Sequence, residues 1–393
     1  MTSTATDREA FLRTLSERTE KINKELLRFL PEETGMQRLI LEACNYSVEN
    51  GGKRIRPILM EAAYFLCRLA EEKKKSTETL NAAEGKGSTE TSEAAKEGSE
   101  TPEKAENTPE ALYLRCQEEY ESLLAPFLAA IEMIHSSSLV HDDLPCMDND
   151  RLRRGKLSTW AKYGVDMGTL AGDGLMIYAF ETACKAMQTE AALTEGRQER
   201  KAQAEAVQKK LSQAEAAQEI SRQDCVQTDM GERALRVVRA IEILAQKTGI
   251  FGMIGGQTVD VALTGSTPNE KELDFIYRLK TGALLEASVM IGAVLAGAGD
   301  AEIEKLRLAA SELGMAFQIK DDILDETESS EALGKTAGSD ERNQKMTYAA
   351  RFGIEQAKAD AQAYTDSAKK RIREIADYPF FEMLCSYLME RRK

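Results

Sequence analysis

The sequence predicts an all-α protein. Apolar residues recur at three- and four-residue spacings in "LLAPFLAAIEMIHSSSLV" (123–140) and "LRLAASELGMAFQIKDDIL" (306–324). Long alternating runs of Val, Ile or Thr, the mark of strands, are missing. With 393 residues, 42% of them hydrophobic, the chain can bury a sizeable core.

Taken in order, the N-terminus "MTSTATDREAFLRTL" lacks a basic start followed by a long apolar run, and no segment reaches the roughly 18 apolar residues of a membrane span. The expectation is a soluble, unprocessed protein. Residues 71–110 hold eleven Glu, six Lys and only Leu80 as a large aliphatic, too little apolar surface to offset the entropy of ordering. They are expected to form a low-complexity, disordered insertion. Residues 188–232 are rich in Ala, Gln, Glu and Lys with sparse apolar positions, which predicts a charged helical insertion with a thin packing face. Without these two stretches roughly 300 residues remain, which suits one helical bundle domain over 1–393 rather than two folds.

Charge narrows the partners. A net charge of −14 argues against a general nucleic-acid binder, so an anionic ligand needs local basic clusters. Seven scattered Cys with no CxxC pair suit reduced thiols and a cytoplasmic location better than disulfides or zinc. The two His, His135 and His141, lie six apart rather than at the spacing of a helical zinc pair.

Two acidic clusters carry chemistry. In "FQIKDDILD" Asp321 and Asp325 are four apart and share a helix face, with Asp322 beside them. In "HDDLPCMDND" Asp142 and Asp148 are separated by six with Pro145 between, so the helix ends and the loop returns the second carboxylate toward the first. The loop lacks the Gly and Glu of a calcium-binding EF-hand. Carboxylates without His or Cys partners favour a hard cation, and Mg²⁺ completes its octahedron with water and phosphate oxygens. "GGKRIRP" (Lys53, Arg54, Arg56) and "RRG" (Arg153, Arg154) supply the cations that phosphate or diphosphate requires. "GMIGG" (252–256) reads as a close helix approach, since no strand precedes it. Gln257 and Asp260 beyond it are open to a cavity, and Met315 and Phe317 read as packing, with Phe317 also placed to contact an apolar ligand.

With "GGKRIRP", "HDDLPCMDND" followed by "LRRG", "LAGDGL", "GMIGGQTVD", "LKTGALLEAS", "FQIKDDILD" and "LGKTAGSDERNQKMTY" in that order, the chain resembles the trans-isoprenyl diphosphate synthases, or polyprenyl synthetases, of the short-chain farnesyl/geranylgeranyl type. The resemblance implies a helical bundle around a deep central cavity with the acidic motifs facing across its mouth, and a homodimer. It implies condensation of isopentenyl diphosphate with allylic diphosphates, with no nucleic acid involved. By the same resemblance Asp142, Asp148 and Asp321 hold a Mg²⁺ cluster, three ions per site, and Asp143, Asp322 and Asp325 support it. Arg153, Lys280, Thr281, Gln318 and Lys335 grip the allylic diphosphate, while Lys53, Arg56, His135 and Arg154 hold isopentenyl diphosphate. Lys345 matches a further family lysine near the mouth. Oxygens near Lys280, Thr281 and Gln318 stabilise the allylic cation, and the released diphosphate takes the final proton. An aromatic ring five positions before the first motif stops growth at fifteen carbons in this family. Here that position is Ser137, beside Ser138, with Met133 and Ile134 one turn further as the floor, which favours geranylgeranyl over farnesyl diphosphate. The competing expectations are a terpene cyclase, against which Lys53, Arg56 and Arg154 weigh, and a non-catalytic regulatory subunit, against which the two intact Asp clusters weigh.

Overall fold

The computed structural model describes residues 5–84, 115–208, 216–327 and 347–390, with backbone alone for 5, 79–84, 118, 188–208 and 216–230. The described chain is helical almost throughout. Its helices are α1 (Ala5–Phe29), α2 (Arg38–Glu49), α3 (Ile55–Glu84), α4 (Ala125–Asp142), α5 (Thr159–Tyr163), α6 (Val165–Gln208), α7 (Ala216–Thr248), α8 (Met253–Ala262), α9 (Glu270–Ile276), α10 (Ala283–Leu295), α11 (Asp300–Thr327), α12 (Tyr348–Phe352), α13 (Ile354–Arg373) and α14 (Pro379–Glu390).

The two most apolar helices sit at the centre. All of α10 except Met290 is buried, and α4 is buried from Ala125 through Ile134. Neither could face water along any side, so each is wrapped: α4 by α6, α1 and α3, and α10 by α3, α11 and α7. The segment Tyr120–Asp142 is long and apolar enough to cross a membrane, yet 83% of its most apolar window is buried inside the protein, which makes it a core helix. At its start Pro126 takes the first turn, where a missing N–H costs nothing. The amphipathic α13 completes the outer layer against α11.

Four local features depart from the sequence expectation or extend it. The stretch expected to be disordered from residue 71 begins as helix, because α3 runs on to Glu84 and Lys74 Nζ reaches Glu302 at 2.6 Å. Most of the remainder lies outside the described residues. The second insertion is helical where described, as the ends of α6 and the start of α7. The "LRRG" stretch is a small antiparallel hairpin, β1 (Leu152–Arg153) with β2 (Lys156–Leu157). Its tip holds Arg154 at φ +55° and Gly155 at φ +78°, both in the left-handed region that a two-residue hairpin turn demands. Finally, the chain widens into π turns at Tyr120–Leu124 and Tyr277–Gly282, each leading directly into a central helix. Among the described residues Cys44, Cys67, Cys116, Cys146, Cys184 and Cys385 are free thiols.

Candidate active site

A cavity of about 610 Å³ opens between α4, α6, α8 and α10. Its wall includes Arg56, His135, Ser138, Leu139, His141, Asp142, Asp173, Met176, Met253, Ile254, Gln257, Val261, Lys280, Thr281 and Leu284. The wall combines acidic, basic and apolar side chains. A smaller pocket shares Lys280 and Thr281 with it and continues to Asp260, Gln318, Asp322 and Thr347.

The first acidic motif forms as α4 runs out. Pro145 lies just beyond the last turn, and the loop folds back so that the Asp148 N–H donates to the Asp142 carbonyl at 2.9 Å. Asp142 lines the cavity, and Gln257 Nε2 donates to its Oδ1 at 3.0 Å. Asp148 is half-buried in the returning loop.

Asp143 corrects the expectation of a metal-side role. It is buried, and its carboxylate takes the Arg153 guanidinium through Nε at 3.0 Å and through Nη2. Burial pushes its carboxyl up to about 6, with Arg153 holding it from rising further. Arg153 is thereby paired with Asp143, with Asp150 3.6 Å away. A helix places consecutive side chains about 100° apart, so Asp142 and Asp143 cannot both face the mouth.

The second motif divides in the same way. Asp321 is half-buried on α11, whereas Asp322 is buried and holds Tyr277, Tyr348 and Gln318 through hydrogen bonds. Asp322 thus reaches the smaller pocket with its carboxylate already engaged by three donors. Asp325 is also buried. Thr281 donates to Gln318 Oε1 at 2.7 Å, which ties the π turn to α11. Lys280 Nζ pairs with Asp260 at 2.6 Å, and Lys280, Thr281 and Gln318 all line the smaller pocket. Gly256 is where α8 meets this turn: a Cβ there would lie 2.2 Å from the Lys280 backbone nitrogen, the close approach read from "GMIGG".

The basic side is stitched together from two loops. Gly51 and Gly52 have positive φ, and a Cβ on Gly52 would collide with the Arg154 guanidinium. Arg154 Nη1 donates to the Gly51 carbonyl, and Asn50 Nδ2 to the Arg153 carbonyl at 3.2 Å. Arg56 and His135 line the cavity, and Lys53 is exposed on the loop. Burial, then the charges of Arg56 and Arg154, hold the His135 imidazole well below its usual pKa, in its neutral form. Arg54, grouped with these cations in the sequence, is instead buried against Glu132 at 2.7 Å, with Asn23 and the Val48 carbonyl as further partners.

The proposed chain-length residues are displaced by one position. His135, Ser138, Leu139 and Asp142 share the α4 face that lines the cavity, at the three- and four-residue spacings of one helix face. Ser137 is fully buried on another face and donates to the Gly172 carbonyl at 2.8 Å, and Met133, one turn away on that face, is equally buried in the core. Lys335, with Lys345, lies outside the described residues. Sequence reasoning missed Asp173, which lines the wall from the "LAGDGL" segment and lies 3.4 Å from His141 Nε2, and Tyr277, whose partner Asp322 is 45 residues away. The Gly-Asp-Gly pattern was the available signal for Asp173. Phe317 packs against the main core.

Mg²⁺ fits this donor set. The wall carries carboxylate oxygens at Asp142 and Asp173, and among the described residues no three His, Cys, Asp or Glu side chains converge to enclose a metal unaided. A cation that relies on one or two carboxylates plus water and substrate phosphate needs no such cage.

Comparison with known proteins places the chain. The polyprenyl synthetase family model matches residues 108–379. The chain is 34% identical over 365 residues to the chloroplastic heterodimeric geranylgeranyl pyrophosphate synthase large subunit 1 of Arabidopsis thaliana, covering 92% of this chain and 74% of that protein. It is 33% identical over 359 residues to the geranylgeranyl diphosphate synthase of Cyanophora paradoxa, covering 91% and 88%. Among solved structures, the geranyltransferase of Helicobacter pylori complexed with magnesium and isoprenyl diphosphate superposes with a TM-score of 0.65 at 25% identity, covering 99% of this chain and 98% of that one. Motif order, helical cavity and relatives agree: this chain belongs to the polyprenyl synthetase family.

Proposed function

We propose that the chain condenses isopentenyl diphosphate head-to-tail (1′–4) with allylic diphosphates and that its main product is the twenty-carbon geranylgeranyl diphosphate. The observation that carries the product length is the cavity wall: among the described residues that line it there is no Phe, Tyr or Trp to stop a growing chain. Its volume of about 610 Å³ sits within the roughly 300–1,000 Å³ usual for enclosed small-molecule ligands.

In this reading Asp142, Asp148 and Asp321 hold the metal, three ions per site, against the allylic diphosphate. When bound, Mg²⁺ offsets the negative charge that develops on the departing diphosphate. Lys280 supplies a cation to the same group, and Thr281, whose hydroxyl donates to Gln318, turns its oxygen toward the positive charge left on the allyl carbon. Lys53, Arg56, Arg154 and the neutral His135 hold isopentenyl diphosphate beside it. Leu139, Met176, Met253, Ile254 and Leu284 exclude water from the cation.

A second copy of the chain is the proposed partner. Leu170 and Ile177, seven apart on α6, are 51% and 69% exposed, and Leu235, Ile250 and Phe251 at α7 and its C-terminal turn are 70%, 71% and 81% exposed. The chloroplast named for the Arabidopsis relative weighs against the cytoplasmic expectation, and a fluorescent fusion of the full chain decides the compartment.

The test is incubation of purified protein with Mg²⁺, isopentenyl diphosphate and farnesyl diphosphate, with products identified by mass. A linear twenty-carbon diphosphate supports the reading. A cyclic hydrocarbon identifies a cyclase, and no turnover without an added second subunit identifies a regulatory chain.

A further inference from the structure

The hydrogen bonds around Asp322 have a fixed direction. Its Oδ2 accepts from the Tyr277 hydroxyl and from the Tyr348 backbone N–H at 2.7 Å, and its Oδ1 accepts from Gln318 Nε2 at 3.0 Å. The Tyr348 N–H also reaches the Tyr277 oxygen at 3.0 Å. A backbone N–H can only donate, so the Tyr277 proton is directed to Asp322 and not back to Tyr348. The third donor is the Gln318 amide, which turns its NH₂ toward Asp322 Oδ1. That leaves Gln318 Oε1 facing Thr281, which spends its single proton on it at 2.7 Å.

The consequence reaches the cavity. With its proton committed inward, Thr281 Oγ1 has only lone pairs left for the space that Thr281 lines. A relaxed Gln318 amide, or one turned over, would free or reverse the hydroxyl and aim a partial positive charge at the cavity. Tyr277 and Thr281 belong to the same π turn, Tyr277–Gly282, whose widened backbone brings both toward α11.

We propose that Asp322 and Tyr277 are positioning residues which fix the Gln318 amide, and through it the Thr281 hydroxyl, in the orientation that presents an oxygen lone pair to positive charge in the cavity. The proposal rests on the prenyl-transfer reading, in which an allylic cation forms there. It separates Asp322 in role from its neighbour Asp321: one faces the metal, the other sets the direction of a dipole.

The experiment is a double-mutant cycle on turnover, with Asp322→Asn, Tyr277→Phe and Thr281→Val, singly and combined, at saturating substrates and Mg²⁺. Asp322→Asn should lower kcat at least about tenfold, because an amide has one acceptor oxygen where the carboxylate has two and so sets its NH₂ against one of the converging donors, and Tyr277→Phe should lower it by a smaller factor. The Mg²⁺ concentration for half-maximal rate and the KM for the allylic diphosphate should stay within about twofold of wild type. In the Thr281→Val background neither change should lower kcat further, whereas Thr281→Ser, which keeps the hydroxyl, should remain sensitive to both. The proposal is overturned if the losses multiply in the Thr281→Val background, or if added Mg²⁺ restores Asp322→Asn. If Asp322→Asn does not fold, the Tyr277→Phe pair carries the cycle with the same two outcomes. A wild-type protein that forms no condensation product overturns the prenyl-transfer reading together with this proposal, while an active wild type with a multiplicative cycle overturns the proposal alone.

Discussion

At Gly172 a methyl group has nowhere to go: its carbon would sit 2.1 Å from His141 Nε2, on the ring next in sequence to Asp142. Ser137, one turn before His141, donates to the carbonyl of the same glycine. Gly172→Ala should therefore push the imidazole from Asp173 into the acidic mouth, cost about 1–3 kcal/mol of stability in urea denaturation, and reduce turnover beyond what the stability loss explains. Asp142→Ala and Asp321→Ala should each lower turnover by orders of magnitude with an unchanged far-UV circular dichroism spectrum, because both are the proposed metal ligands and both are only half-buried, so neither is needed to fill the core. The acidic clusters were legible in sequence as oxygen-only donors. Which member of each pair faces outward was not, since that depends on the phase of the helix and on a distant partner, Arg153 for Asp143 and Tyr277 for Asp322.

At the scale of the element, the proposed control of product length falls to one face of α4. Ser137 and Ser138 differ by about 100° of helical rotation, and only Ser138 lines the cavity. Ser138→Tyr should shorten the main product by one five-carbon unit. Ser137→Tyr should instead drive its ring into the backbone of α6 at Gly172 and appear as lost stability in thermal unfolding, with product length unchanged. Helix α1 provides a pH-dependent example. Burial lowers Lys21 from 10.5 to about 8, against the opposing pull of Glu61 and Glu25, with its Nζ 3.4 Å above the Tyr120 ring. Between about pH 8 and 10.5 the unfolded chain holds a proton at this lysine that the folded chain has released, so stability contributed by this group rises with pH through that window. Relative to Lys21→Met, the wild-type melting temperature should climb across the same interval. The π turns were not readable from sequence, because nothing local forces an extra residue into a helical turn. Tyr277–Gly282 is held open by packing of Gly256 and by bonds to α11.

Across the whole molecule, the all-helical class followed from periodicity, and the cavity followed from motifs that recur in family order. The helical continuation of α3 to Glu84 did not, because composition alone cannot distinguish a solvated helix from a disordered run when the helix is extended from an already packed start. The "LRRG" hairpin escaped for a related reason: strands of two residues carry no alternation to detect, and only the Arg-Gly tip with its positive φ pair marks the turn. A chain with a net charge of −14 nevertheless places Arg56 and Lys280 on the wall of one cavity, with Arg154 bonded to the loop that carries Lys53, which supplies the local cations that the proposed diphosphate ligands need. The most direct measurement is the mass of the products made by wild type and Ser138→Tyr from isopentenyl and dimethylallyl diphosphates with Mg²⁺. The account predicts a main product of twenty carbons for wild type and fifteen for the variant; a wild-type product that stops at fifteen carbons, or a variant that makes the same length as wild type, would contradict it.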